Sequence, residues 1–204
     1  MLNRRTTLVT AGLAATLALS ACAPLLVGGA ALSGALMYSD RRTSGAQVED
    51  QAIEFKAGPK IRSVLGERGH INVTSYNRMV LITGEVPADA DRATVEQAVA
   101  SIENVRSTVN ETAVMGAASL TARSNDSIIS GKVKAALVDD GEIQATAIKV
   151  VTERAVVYLM GRVTEREAGR FADVARSVDG VRKVVKVFEI LSESELATMQ
   201  PKTN

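Results

Sequence analysis

Between residues 125 and 191 the spacing of apolar positions switches repeatedly. Ile129, Val133, Ala136 and Leu137 recur three and four residues apart, which predicts a helix, and Ser124, Asn125 and Asp126 offer it an N-cap. Ile148, Val150 and Thr152 then alternate as in a strand. Residues 155–163 form a nearly continuous apolar run, which predicts a strand central in its sheet. Ala168, Phe171, Ala172, Ala175 and Val178 return to helical spacing behind Thr164-Glu165-Arg166-Glu167, a cap followed by an acidic first turn. A β-rich run over 183–190 closes the series. The predicted order is αββαβ.

The same series occurs earlier in the chain. Residues 71–84 parallel 148–161 at an offset of 77, and 101–106 parallel 177–182 at 76. Upstream, 60–65 aligns with 132–137 at an offset of 72, which gives the second copy five extra residues before its first strand. The first copy is therefore read as a helix around 48–65, strands near 70–75 and 79–86, a helix on Val95, Ala98, Val99 and Ile102, and a strand near 105–114. Pro59 falls inside the first of these helices, where proline costs about 3 kcal/mol, so a kink or a split is expected there. The predicted class is α+β: two tandem αββαβ domains, each a three-stranded sheet packed by two helices. The domains span 46–115 and 125–191, with a linker at 116–124 and a polar tail at 192–204.

The first forty residues have a different pattern. Arg4 and Arg5 precede an uncharged stretch at 6–21, then comes Cys22, the layout of a secretory signal peptide. Leu19-Ser20-Ala21-Cys22 resembles the lipobox of bacterial lipoproteins. That resemblance implies a signal peptide over 1–21, cleavage before Cys22 and a covalent lipid on its thiol. An uncleaved membrane anchor is the competing reading of the uncharged 6–38 run, which Pro24 and several glycines interrupt. Residues 22–45 are read as a lipidated, apolar, Gly/Ala-rich tether. Ala23 follows the cysteine, and by resemblance to enteric-type lipoproteins this implies the outer membrane.

Composition narrows the chemistry. One Cys excludes an intramolecular disulfide and a multi-cysteine metal site, and one His leaves no histidine cage. With 24 basic against 23 acidic groups and 3% aromatics, there is neither the field nor the stacking surface for nucleic acid. No catalytic set emerges. His70 has no second His and no Ser placed beside it, and Asp139-Asp140 and Glu165/Glu167 read as loop and helix-start residues. No metal and no cofactor are expected beyond the lipid on Cys22.

The repeated unit resembles the BON domain. The resemblance rests on a glycine after the second strand, Gly84 in Gly84-Glu85-Val86 and Gly161 in Gly161-Arg162-Val163, and on Ile102-Glu103-Asn104-Val105 and Val178-Asp179-Gly180-Val181. A lipobox followed by two such domains is similar to a type of outer-membrane lipoprotein. That implies a periplasm-facing protein, not an enzyme, that binds anionic phospholipid and supports outer-membrane integrity. Gly84 and Gly161 are read as structural. The turns Tyr76-Asn77-Arg78 and Glu153-Arg154 lack the glycine that family members often place at the hairpin.

For the lipid-facing residues, the helical arithmetic singles out Ile128. It points about 130° from the centre of the stripe Ile129, Val133, Ala136 and Leu137, into solvent. Lys132 follows one turn later and Lys134 projects from the other flank. An exposed apolar side chain among lysines is the minimal pattern for a bilayer surface. Charge agrees: residues 47–116 hold 7 basic and 10 acidic groups, net −3, and 125–191 hold 11 and 10, net +1. The expected partner is an anionic phospholipid membrane. The alternative is an adaptor that docks envelope proteins through the same surface.

Overall fold

The computed structural model describes residues 40–199. Cys22, the leader and the apolar stretch before Asp40 lie outside them, as does the end of the tail. From Asp40 onward the chain forms one compact unit.

Domain 1 runs α1 (Ser44–Leu65), β1 (His70–Tyr76), β2 (Met79–Val86), α2 (Asp89–Ala100), β3 (Ser107–Asn110) and β4 (Ala113–Val114). Domain 2 repeats the order with α3 (Leu120–Asp139), β5 (Ile148–Glu153), β6 (Val156–Thr164), α4 (Glu165–Arg176) and β7 (Lys183–Leu191). A short α5 (Glu193–Met199) occupies the start of the polar tail. In each sheet the second strand is central, pairing antiparallel with the first and parallel with the last. The last strand of domain 1 is interrupted at Glu111 and Thr112, yet β3 and β4 both pair with β2.

Each sheet buries one face under its helices. Ile53, Ala57, Ile61 and Leu65 of α1 and Val95 and Val99 of α2 close over Val80, Ile82 and Val86. Ile129, Val133 and Leu137 of α3 and Ala168, Phe171 and Ala175 of α4 close over Val157, Leu159 and Val163. The opposite faces of the two sheets meet each other: Tyr76 and Leu81 from domain 1 pack with Tyr158, Met160 and Val187 from domain 2. The fold is thus four layers, helix–sheet–sheet–helix, with the two helical layers on the outside. This explains the near-continuous apolar run of β6, both of whose faces are buried.

Three expectations need correction. First, α1 does not split: it runs unbroken from Ser44 to Leu65 with Pro59 inside it. The bond lost at Pro59 would have gone to the carbonyl of Phe55, whose side chain is 82% exposed, so solvent can satisfy it. The preceding residue is Gly58, without the Cβ that a following proline ring would strike. Second, Asp126 is not at an N-cap. α3 starts at Leu120, its cap is Ser119, whose hydroxyl accepts the Ala122 N–H at 3.2 Å, and Asp126 lies buried inside the helix. Third, the first helices correspond at an offset of 76: Asp50, Ile53, Ala57 and Ile61 match Asp126, Ile129, Val133 and Leu137. The offset of 72 is slipped by four residues, nearly one helical turn, which leaves the apolar face almost unchanged.

Candidate functional site: the outward face of α3

The orientation of α3 is fixed by a buried carboxylate. The β5–β6 hairpin turns through Arg154 and Ala155, at φ 52° and 60°. Two consecutive positive φ values are what a two-residue hairpin loop requires, and here neither residue is glycine. Asp126, 5% exposed, accepts the N–H of Arg154 and the N–H of Ala155, both at 2.8 Å. Domain 1 has the same device. Asn77 and Arg78 turn at φ 51° and 65°, and Asp50 accepts their N–H groups at 2.8 and 2.7 Å. Asp50 also takes the Ser75 hydroxyl at 2.6 Å and the Arg42 guanidinium at 2.7 Å. Burial pushes the Asp50 carboxyl up, and these four donors outweigh it and hold it below its ordinary value.

With Asp126, Ile129, Val133 and Leu137 turned inward, Ile128 faces solvent and is 58% exposed. Lys132 and Lys134 are exposed on the same helix, with no ion-pair partner among the described residues. Leu120 and Val138 are also exposed along α3. Domain 1 presents a second outward apolar group, Phe55 on α1, which the sequence reading passed over. It shares its side of α1 with Val48, 66% exposed, and Lys56 is the next residue along the helix.

The two glycines sit where the first and second strands of each domain cross closely. Gly84 pairs with Ile71 and has φ 107°, and a Cβ there would run into the His70 carbonyl. Gly161 pairs with Ile148, and a Cβ would come within 2.6 Å of the Ile148 side chain and 2.9 Å of the Ala147 carbonyl. His70 begins β1 and borders a polar crevice with Asn72, Ser130 and Glu153. Asp140 is held by Arg170 at 2.7 Å, and Glu167 reaches back to the Thr164 N–H in a capping box. Among the described residues no cluster of His, Cys, Asp or Glu could hold a metal ion, and no helix is long and apolar enough to cross a membrane.

Contacts between the domains close the assembly. The Tyr76 hydroxyl donates to the Ala147 carbonyl at 2.8 Å, and Lys149 reaches Glu54 at 3.0 Å and the Ser75 carbonyl at 2.8 Å. Glu189 receives Asn77, Arg106 and Arg162. The entering segment fastens to both domains. Arg41 forks onto Glu167 at 2.7 and 2.8 Å and donates to the Arg162 carbonyl. Arg42 lies 4.4 Å over the Tyr76 ring. Burial would raise the Glu167 carboxyl, but the Arg41 fork and the Thr164 N–H hold it below its ordinary value.

The chain is two αββαβ units, each with a tight glycine within its central strand and not after it, and the BON domain matches residues 57–116 and 125–192. The chain belongs to the BON-domain family. It is 35% identical over 181 residues to "Outer membrane lipoprotein DolP" of Haemophilus influenzae, covering 88% of this chain and 93% of that one. It is 34% identical to the "21 kDa hemolysin" of Actinobacillus pleuropneumoniae over 150 residues, 72% of this chain and 77% of that one. It is also 25% identical over 160 residues to "Osmotically-inducible protein Y" of Escherichia coli, 74% of this chain and 78% of that one. By family and by similarity it is an outer-membrane lipoprotein of the cell envelope.

Proposed function

We propose that this protein is a lipid-anchored, non-enzymatic phospholipid-binding module that faces the periplasm and supports outer-membrane integrity. Cys22 carries the anchor, and α3 of domain 2 contacts anionic lipid through Ile128, Lys132 and Lys134. The observation that carries this reading is the outward Ile128, 58% exposed beside lysines with no ion-pair partner among the described residues. An inserted aliphatic group contributes about 1.5–3 kcal/mol when fully buried, and each lysine near an anionic surface about 1 kcal/mol. Lipid on Cys22 supplies the standing affinity, since two or more acyl chains anchor stably.

Cosedimentation of the full chain carrying Cys22→Ala with phosphatidylglycerol vesicles tests the contact. Wild-type α3 is expected to bind, more weakly as salt rises, and Ile128→Asp to weaken binding by about tenfold or more. Binding that is indifferent to Ile128→Asp and to Lys132→Glu/Lys134→Glu would remove α3 as the face.

A second reading, an adaptor for envelope proteins, draws on Phe55. It is 82% exposed on the helical layer opposite α3. A bilayer lying against α3 would leave it pointing away.

A further inference from the structure

The two domains differ where their first helix runs out over the edge of the sheet. By the helix equivalence, Leu65 at the end of α1 matches Gly141, and α3 stops at Asp139, two residues short of that point. In domain 1 Leu65 fills the space under the last turn and is 3% exposed, and the remaining cleft is bordered by Arg62, Glu67 and His70. In domain 2 no residue of α3 takes the place of Leu65. Gly141 turns away at φ 71°, and the chain returns through a short 3-10 turn at Ala145–Ala147.

What is left is an apolar cleft of about 200 Å3 between α3 and β5. Leu137, Ile148 and Val150 form its floor, and Val138 and Ala145 its walls. Val138 stands where domain 1 has Arg62, and Lys134 stands at the rim where domain 1 has Gly58. The loop acids Asp140 and Glu142 are ion-paired with Arg170, whereas Lys134 has no ion-pair partner among the described residues. An apolar slot with one available cation at its mouth is complementary to an amphiphile with an anionic head. The slot is smaller than the roughly 300–1,000 Å3 of sites that enclose a drug-sized ligand, so it suits part of one chain and not a whole lipid.

We propose that this cleft takes a single acyl chain of an anionic phospholipid, with Lys134 meeting the phosphate. The proposal rests on the lipid-binding reading and sharpens it: α3 holds one lipid by its tail as well as lying on the surface.

The test uses the full chain with Cys22→Ala and a single-chain probe, lysophosphatidylglycerol, kept below its micelle-forming concentration and followed by calorimetry and methyl NMR. Saturable one-to-one binding is expected, with shifts at Val138, Ile148 and Val150. Val138→Asp and Ala145→Phe are expected to weaken it by about tenfold, through a buried charge and a filled slot respectively. Thr146→Trp, at an exposed position on the same rim, blocks the mouth without touching the core. Ile128→Asp should leave probe binding within about twofold while weakening vesicle binding by about tenfold or more, because it changes the surface contact and not the slot. Absence of saturable probe binding while vesicles still cosediment would overturn the cleft and leave the surface reading standing. Absence of both would end both. Equal affinity for lysophosphatidylcholine, or unchanged binding in all three cleft variants, would also overturn the proposal. So would binding lost in the natively acylated chain and restored by Cys22→Ala, which would make the chain's own anchor the occupant.

Discussion

Asn77 and Arg78 sit at φ 51° and 65°, a left-handed region that costs a non-glycine residue roughly 1–2 kcal/mol. Asp50 offsets that cost by gathering two successive N–H groups of the turn onto one buried carboxylate, and Asp126 does the same for Arg154 and Ala155. Hydrogen bonds to a charged group contribute about 1.5–3 kcal/mol net, so Asp50→Asn and Asp126→Asn are each expected to destabilise by about 2 kcal/mol in denaturant unfolding. For Asp50 the effect should fade in strong acid. A carboxylate whose folded pKa is depressed stabilises above its unfolded value, here 3.8 for Asp50, and that stability is lost as pH falls through the folded value. The gap between wild type and Asp50→Asn should therefore narrow as pH falls below 3.8, and a gap that stays constant from neutral pH down into the acid unfolding region would contradict the role assigned to the charge. These aspartates were hidden in the sequence. Ser124-Asn125-Asp126 reads as a cap because those residue types favour caps, and only the turn lying 28 residues on, at Arg154, shows why an aspartate belongs in mid-helix.

At the scale of elements, most of the fold was legible. The alternation in β1 and β5, the apolar run of β6 and the capping sequence of α4 each specify their element locally, and Thr164 and Glu167 form the reciprocal pair that the spacing implies. Alignment of the first helices was not legible, since apolar residues four apart fit either offset. Nor was the continuity of α1 through Pro59, which depends on where the orphaned carbonyl points. Gly84 illustrates a strand position set by its neighbour. Its φ of 107° and the His70 carbonyl beside it leave no room for a methyl group. Gly84→Ala is expected to destabilise domain 1 by about 2–3 kcal/mol, read as a lower denaturant midpoint with the slope unchanged. Gly161 is also crowded, by the Ile148 side chain and the Ala147 carbonyl, but without the positive φ of Gly84, so alanine there should cost less than at Gly84.

At the scale of the molecule, the decisive arrangement is sheet against sheet. Leu81, 1% exposed, packs with Tyr158 and Met160 across the boundary between domains. Leu81→Ala is expected to cost about 2–5 kcal/mol and to lower the unfolding of both domains together in calorimetry. Two separated transitions in the wild type would show that the domains melt independently. The sequence hinted at this interface, because β6 is apolar on alternate faces that helices alone could not both cover, but it did not say what covers the second one. The same arrangement separates the two exposed apolar helices. α3 with Ile128 and α1 with Phe55 lie in opposite outer layers, so one flat bilayer meets one of them.

The fork from Arg41 to Glu167 has a mechanical side. With a lipid on Cys22, any tug between the membrane and the body enters the described chain at Asp40. The next residue is fastened to domain 2 before the chain continues into α1 of domain 1. Tension is therefore divided between the two halves at the point of entry, and α1 is spared being unzipped from its first turn.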